Sequence, residues 1–446
     1  MGANYTWDDR ISRDRRLKPG GPKRILSLDG GGIRGLITLG ILRQIEETLR
    51  ARLPVEKQAG FRLAHYYDFI GGTSTGSIIA VWLALGNTVE SLQKLYMELG
   101  SEIFSKPRVL AGRIVFARFD AEALASYLTL YLKSYTLDSP QLQTGFGVTA
   151  KRMDTGSAWL LANNPKGVYW DGSATDRPNA AYRLMHVVQA SAAAPAYFDH
   201  VQVPIEIDKP KGAFMDGAVA GLNNPAAAFW LYTTLPGYGL NWKTGADDLL
   251  ITSIGTGDFR AKMTSRKLAG RPALLQAIES LAGSISDVAK SQLLLMQALS
   301  KPVAPYPINS EVDSLADPGR LQSERIADPY CILPDALFSF QRYDAPIDAA
   351  GLAFLGVQAG GQPLGKTMIR NIQKMDCANG ENLERLKLIG ETAGQRFVRS
   401  EHFPASFDTE DMQQAGGARR PETDRGGQAN TGKGKRRRFF RGRGNR

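Results

Sequence analysis

The chain has 446 residues, of which 43% are hydrophobic and 22% charged, a composition typical of a globular protein with a large core. It excludes a small disulfide-stapled module and a wholly disordered chain, and the two cysteines, Cys331 and Cys377, lack the spacing of a zinc module. The net charge of +11 is concentrated after residue 414, where the chain has eleven Lys and Arg but only two acidic residues. The rest of the chain is therefore nearly neutral.

The first 22 residues predict a flexible N-terminal arm. They are polar and end in Lys18-Pro-Gly-Gly-Pro22. No apolar segment follows Met1 as a Sec signal peptide would require, and no apolar run approaches the roughly eighteen residues of a membrane span. We therefore expect a cytoplasmic or peripheral membrane protein without a transmembrane helix, while export by a signal-free route stays open.

Two strand–turn–helix units follow the arm. Arg24–Leu28 predicts a buried strand, Asp29–Gly32 a turn, and the apolar spacing from Leu36 to Leu53 an amphipathic helix. The second unit has a strand, a turn and an apolar helix at Tyr66–Ile70, Gly71–Gly76 and Ser77–Leu85. Two such units in series predict an α/β fold, with a parallel sheet and helices on its faces.

The remaining elements are predicted from shorter patterns. Later strands are expected at Thr144–Thr149, Ala158–Ala162, Gly212–Met215 and Leu249–Ile254, and a helix at Tyr182–Ser191. From about Leu268 the pattern is mainly helical, and beyond Phe407 hydrophobic residues vanish. The predicted organisation is an arm (1–22), a folded domain (23–405) with its core at about 23–260 and a helical extension at about 261–405, and a disordered basic tail (406–446).

The first chemical motif is the glycine loop Asp29-Gly-Gly-Gly-Ile-Arg-Gly35, between a strand and a helix. Successive glycines let several backbone N–H groups point into one concavity, which binds a phosphate or the oxyanion of acyl transfer. Gly30-x-Gly32-x-x-Gly35 also matches the dinucleotide fingerprint, which needs a second strand ending in an acidic residue. That strand ends instead in Gly72-Thr-Ser-Thr-Gly76, so a nucleotide-binding protein remains only an alternative.

The second motif, Gly72-x-Ser74-x-Gly76, has the pattern of a nucleophile elbow. A serine at a sharp strand-to-helix turn is held at the carboxyl edge of the sheet, and the flanking glycines relieve crowding. A glycine-rich turn with an N-capping serine would give the same string. The strand before it, the apolar helix after it and the glycine loop on the preceding strand favour a nucleophile.

A nucleophilic serine needs a base. Of the four histidines, His65 precedes a strand, His186 lies in an apolar helix and His402 is near the tail, which leaves His200 as the only candidate for a triad. Asp216, in Met215-Asp216-Gly217 at the end of a predicted strand, can take the serine proton directly if burial raises its basicity. Asp216 is therefore the better candidate.

These three motifs, in this order, resemble the patatin-like phospholipase family. Ala190–Phe198 and Ser253–Gly257 are also similar to segments of that family, and the resemblance covers roughly residues 22 to 260. It implies a three-layer α/β/α fold with a mainly parallel central sheet, a patatin-like catalytic domain, and hydrolysis of acyl esters of phospholipids or related lipids. Carried over by position, Ser74 is the nucleophile, Asp216 the general base and acid, and the Gly31 and Gly32 amides the oxyanion hole.

The other motif positions have supporting roles under this resemblance. Arg34 occupies the family's basic position and either contacts substrate or forms a structural salt bridge behind the loop. Asp29 is expected to order the glycine loop rather than to touch substrate. The remaining motif positions are Gly30, Gly35, Gly72, Gly76 and Gly217. The scheme implies no metal and no cofactor.

The basic tail suggests a second kind of contact. Lys433–Arg443 combines dense positive charge with Phe439 and Phe440, a pattern that suits the surface of an anionic membrane. Binding of single-stranded RNA fits the same residues less well, and a solvated tail without function is the remaining possibility.

Overall fold

A nine-stranded sheet forms the centre of the computed structural model, which describes residues 13–104, 109–110, 113–114, 121–195, 200–259, 273–304 and 332–418. Cys331, the segment Ala196–Phe198 and the tail from Arg419 onward lie outside these ranges. The strands are β1 Lys23–Leu28, β2 Phe69–Gly72, β3 Val109–Leu110, β4 Arg113–Ile114, β5 Gly145–Arg152, β6 Ser157–Ala162, β7 Val201–Val203, β8 Gly212–Asp216, β9 Leu249–Ile254, β10 Lys301–Ala304, β11 Ser339–Tyr343, β12 Gln358–Ala359 and β13 Gln362–Pro363.

Helices cover much of the rest of the described chain. They are α1 Arg13–Leu17, α2 Gly35–Arg50, α3 Val55–Gln58, α4 Thr75–Ala84, α5 Val89–Phe104, α6 Ala121–Leu132, α7 Leu184–Ala192, α8 Ala226–Thr234, α9 Ala273–Ala298, α10 Ala349–Leu355, α11 Lys366–Gln373, α12 Gly380–Phe397 and α13 Glu410–Ala418.

The central sheet is mixed but mostly parallel, which confirms the predicted α/β fold class. Its order is β10-β11-β9-β1-β2-β5-β8-β7, with β6 also paired to β5. The pairs from β10 through β5 are parallel, whereas β6 and β8 run antiparallel to β5, and β7 antiparallel to β8. Because β1 and β2 are parallel neighbours, the turns that follow them meet at the same edge of the sheet.

Both faces of the sheet are covered, since neighbouring side chains of a strand point to opposite faces. On β1, Ile25 packs in a cluster with Phe229 of α8 and Leu293 of α9. The next residue, Leu26, belongs to the larger cluster built with α2 and α4, among them Ile79. The architecture is therefore helix layer, sheet, helix layer.

The extension contributes strands in addition to the helices expected at residues 261–405. β10 and β11 lengthen the parallel sheet beyond β9. All five residues of β11, Ser-Phe-Gln-Arg-Tyr, are buried. A strand that is buried on both faces shows no alternation of polar and apolar residues. The polar Gln341 and Arg342 also interrupt the apolar run that a buried strand usually has.

Helix α12 joins the extension to the helix that follows the glycine loop. A Cβ on Gly40 of α2 would lie 2.3 Å from the backbone of Gly390 on α12, and one on Gly390 would lie 2.5 Å from the Ile37 carbonyl oxygen. The two helices therefore approach at backbone distance, and the extension packs as part of the same body as the motif-bearing residues.

Both predicted ends of the folded region need correction. Residues of the supposed arm form α1, where Leu17 is buried and Arg16 pairs with Asp68. At the other end, Phe407 and Met412 are buried, and the described chain continues to Ala418. In both terminal segments, single apolar side chains within a polar sequence pack against the folded domain. The average composition of a segment does not reveal such single contacts.

Candidate active site

Ser74 lies at the turn between β2 and α4 in a backbone conformation that side chains rarely adopt, with φ 55° and ψ −126°. The flanking glycines are required by close packing. A Cβ on Gly72 would lie 2.3 Å from the Gly76 backbone, and one on Gly76 would lie 2.3 Å from the Leu28 carbonyl oxygen at the end of β1. The turn therefore presents a partly exposed serine at the carboxyl edge of the sheet.

Asp216 ends β8 and is 2% exposed. Its carboxylate accepts a hydrogen bond from the Ala218 N–H at 2.8 Å and another from the Ser74 hydroxyl. Burial raises the pKa of Asp216 from its ordinary 3.8 to about 6, while these two hydrogen bonds act in the opposite direction. The structure thus brings the predicted base within interaction range of the predicted nucleophile.

A network of hydroxyl groups connects the two turns. The Thr73 hydroxyl lies 2.6 Å from that of Thr149 on β5 and donates to the Leu222 carbonyl oxygen, also at 2.6 Å. Thr149 also lies against Gly217, where a Cβ would be 2.3 Å from its Oγ1. Strand β5, between β2 and β8, therefore fixes the spacing of the serine turn and the aspartate turn.

Ser191 is a part of the site that sequence reasoning did not single out. It is fully buried on α7, and its Oγ accepts a hydrogen bond from the Ser74 N–H at 3.1 Å. It lies within Ala190–Phe198, the segment already noted as similar to the family, which was the signal available in the sequence. Ser191 satisfies the backbone of the strained turn.

Within the described residues, two amides of the glycine loop have no hydrogen-bond acceptor. Gly30 N donates to the Asn223 carbonyl oxygen, Ile33 N to that of Met375, and Arg34 N to that of Gly31. The Gly31 and Gly32 amides donate to no acceptor in the part of the chain that the structure describes. Gly32 has φ +59°, a conformation that favours glycine. Two neighbouring free donors are the arrangement that a single oxyanion requires.

The loop packs directly against the serine turn. A Cβ on Gly30 would lie 3.1 Å from Ser74 Cβ, and one on Gly35 would lie 2.7 Å from Thr75 Oγ1. A Cβ on Gly32 would lie 2.5 Å from the Met375 carbonyl oxygen. The glycines therefore allow the loop to fit between the serine turn and the segment after α11.

Asp29 and Arg34 face different partners. Asp29 is buried and binds Arg342 of β11 at 2.8 Å, away from the open side of the loop. The Arg34 guanidinium is 3.5 Å from the Gln373 carbonyl oxygen and 5.7 Å from the centre of the Phe259 ring. Asp29 therefore contacts the extension, and Arg34 contacts the segment at the end of α11.

The histidines occupy other environments. His65 is buried before β2, and burial together with Arg16 and Arg62 lowers its pKa to about 3. His186 is half-buried on α7, and burial lowers its pKa as well. His402 Nδ1 is 2.9 Å from the Tyr343 hydroxyl, and His200 is exposed just before β7, the edge strand. The Ser74 hydroxyl instead interacts with Asp216, whose pKa it lowers.

No group of three His, Cys, Asp or Glu side chains in the described ranges is arranged to hold a metal ion. Within the same ranges, no helix combines the length and the apolar character needed to cross a bilayer.

Comparison with known proteins agrees with this geometry. Residues 26–230 match the family model Patatin-like phospholipase. The chain is 31% identical to the cUMP-AMP-activated phospholipase of Escherichia coli over 45% of its own length and 56% of the relative's. It is 27% identical to Patatin-17 of Solanum cardiophyllum, with 55% and 64% covered.

Two further similarities concern a second bacterial phospholipase and a solved structure. The cGAMP-activated phospholipase of Vibrio cholerae is 28% identical over 56% of this chain and 69% of the relative. The solved structure of human GIVD cytosolic phospholipase A2 aligns over 91% of this chain and 63% of that chain, with 12% identity and a TM-score of 0.38. A score this low supports no conclusion. The chain covers only 56% and 64% of the length of the first two relatives, so they do not define its activity.

Proposed function

We propose that the chain is a serine lipid acyl hydrolase of the phospholipase A or lysophospholipase type. The observation that carries this proposal is the pairing of Ser74, in a strained turn, with the buried carboxylate of Asp216. The Gly31 and Gly32 amides, which have no acceptor among the described residues, supply the third element of acyl transfer. The match of residues 26–230 to the patatin-like phospholipase family model supports a lipid ester as substrate.

The proposed reaction follows from this geometry. Ser74 Oγ attacks the acyl carbonyl carbon while its proton passes to the Asp216 carboxylate, and the carbonyl oxygen becomes an oxyanion facing the Gly31 and Gly32 amides. The oxyanion collapses, the bond to the alcohol oxygen breaks, and Asp216 returns the proton to that alcohol. Water then attacks the acyl-serine by the same route, which releases the fatty acid and restores both side chains.

The raised pKa of Asp216 suits this role. A carboxylate with its ordinary pKa of 3.8 is a weak base for a hydroxyl proton, and burial brings the value to about 6. Only the ionised form can accept the serine proton. Hydrolysis should therefore increase with pH through about 6 and level off above it.

Labelling with a fluorophosphonate probe tests the nucleophile. Wild type should react and Ser74→Ala should not, while Asp216→Asn should lose hydrolysis of a short-chain ester. The double variant should be no less active than either single variant, because residues that act as one unit are not additive. His200→Ala is the matched control and should retain activity. If His200→Ala is as inactive as Ser74→Ala while remaining folded, a triad replaces the pair.

A nucleotide could still act on this chain as a regulator. Two relatives are named for activation by cUMP-AMP and by cGAMP. The glycine loop is poorly suited to bind a phosphate group, because the amides of Gly30, Ile33 and Arg34 already donate to backbone carbonyl oxygens. A nucleotide would therefore bind elsewhere. Ester hydrolysis measured with and without each cyclic dinucleotide tests this second candidate, and a constant rate would remove it.

A further inference from the structure

Arg342 connects the C-terminal extension to the glycine loop. It lies on β11, outside the residues matched by the family model. Its Nη2 is 2.8 Å from Asp29 Oδ2 and 2.7 Å from Asp344 Oδ2, and its Nη1 donates to Ser253 Oγ at 2.8 Å. The side chain of Arg342 is only 4% exposed, and those of Asp29 and Asp344 are similarly buried.

The same cluster holds the backbone on the other side of the loop. Asp344 Oδ1 accepts hydrogen bonds from the Gly257 N–H at 2.7 Å and from the Ala345 N–H at 2.9 Å. Next to Gly257, the Thr256 hydroxyl donates to the Gly30 carbonyl oxygen at 2.9 Å. A Cβ on Gly31 would lie only 2.1 Å from Thr256 Oγ1, so this hydroxyl also limits where Gly31 can move.

We propose that Arg342 is a positioning residue for the oxyanion-binding amides of Gly31 and Gly32. This inference rests on the proposed function. Asp29 directly precedes the glycines, so its ion pair with Arg342 fixes the point at which the loop leaves β1. Through Asp344, the same guanidinium fixes the turn that carries Thr256. The extension thereby completes the site instead of merely covering the sheet.

Arginine is needed here because of the shape of its side chain. One planar guanidinium donates to two carboxylates and a hydroxyl in different directions, a geometry that the single ammonium of lysine cannot reproduce. Burial raises the pKa of both Asp29 and Asp344, and the Arg342 charge is the main influence in the opposite direction. Without the guanidinium, two buried carboxylates would face each other without the cation that now binds both, and the loop would relax away from its position.

The test compares Arg342→Lys with Arg24→Lys. Arg24 is a matched control because it is also buried and bound to a carboxylate, with Nε 2.9 Å from Asp68 Oδ2, but it lies at the start of β1. Both variants should lower the unfolding temperature. Only Arg342→Lys should lower kcat for a soluble ester, by at least about tenfold, because displacement of an oxyanion donor slows acyl transfer steeply. KM should stay unchanged, and the rate of fluorophosphonate labelling should fall in parallel with kcat.

Two results would overturn the proposal: wild-type kcat in Arg342→Lys, or an equal loss of kcat in Arg24→Lys. If Arg342→Lys does not fold, the double variant Arg342→Gln with Asp344→Asn removes one charge of each sign and should show the same selective loss of kcat. Wild-type kcat in that double variant would also refute the role. Hydrolysis that persists in Ser74→Ala would instead refute the proposed function itself, so the two failures are distinguishable.

Discussion

Replacing Asp216 with asparagine should abolish ester hydrolysis and at the same time stabilise the folded protein at neutral pH. The substitution removes the only proposed acceptor of the Ser74 proton. It also removes a charge that burial disfavours, while an amide oxygen can still accept the hydrogen bond from the Ala218 N–H. Loss of activity together with gain of stability distinguishes a desolvated base from a structural carboxylate.

The magnitude follows from the pKa of this carboxyl. Burial raises it from 3.8 in the ordinary state to about 6 in the folded protein. Each unit of pKa difference between the folded and unfolded chains corresponds to about 1.4 kcal/mol, so the ionised carboxylate costs about 3 kcal/mol of folding stability. This cost is absent below pH 3.8, grows between pH 3.8 and about 6, and is complete at pH 7.

Urea unfolding of wild type and Asp216→Asn at pH 7 and pH 4, together with ester hydrolysis, provides the assay. The variant should have the higher urea midpoint at pH 7, and the difference should nearly vanish at pH 4. Asp68→Asn is the matched control, because Asp68 is equally buried but Arg24 and Arg16 hold its pKa below the ordinary value. Its ionised form stabilises the fold, so Asp68→Asn should lower the midpoint at pH 7. If Asp216→Asn lowers it to the same extent, the reasoning from desolvation is wrong.

Three further outcomes are expected. Gly76→Ala should slow hydrolysis and destabilise the protein by about 1–3 kcal/mol in thermal unfolding, because the new Cβ would lie 2.3 Å from the Leu28 carbonyl oxygen; an unchanged midpoint would contradict this. EDTA should leave hydrolysis of a short-chain ester unchanged, and a loss restored by Ca²⁺ would reveal a metal requirement. Truncation after Ala418 should preserve hydrolysis of the short-chain ester but weaken the salt-sensitive sedimentation of the protein with anionic vesicles. Truncation after Phe407 should also destabilise the fold, because it removes the buried Met412. Equal vesicle binding with and without the tail, or tighter binding to RNA than to vesicles, would contradict the membrane role.

The residues of the candidate site could be proposed from the sequence because their motifs are local. Consecutive glycines, a serine between two glycines, and an aspartate at a strand end each report the backbone conformation of a few neighbouring residues. The strand–turn–helix order then predicted that the first two turns share one edge of a parallel sheet. That Ser74 and Asp216 lie together remained a hypothesis in the sequence, since 142 positions separate them. The structure brings the two side chains within interaction range.

The contributions of the extension were decided only by tertiary structure. The polar strand β11 resembles a loop in sequence, because its burial on both faces depends on helices far away along the chain. Arg342 carries no motif, and its role follows from parallel pairing with β9, which places it beside Ser253 and within reach of Asp29. Local sequence determines backbone conformation through sterics and periodicity, whereas the partner of a buried charge is selected by strand order and register, which involve the whole chain.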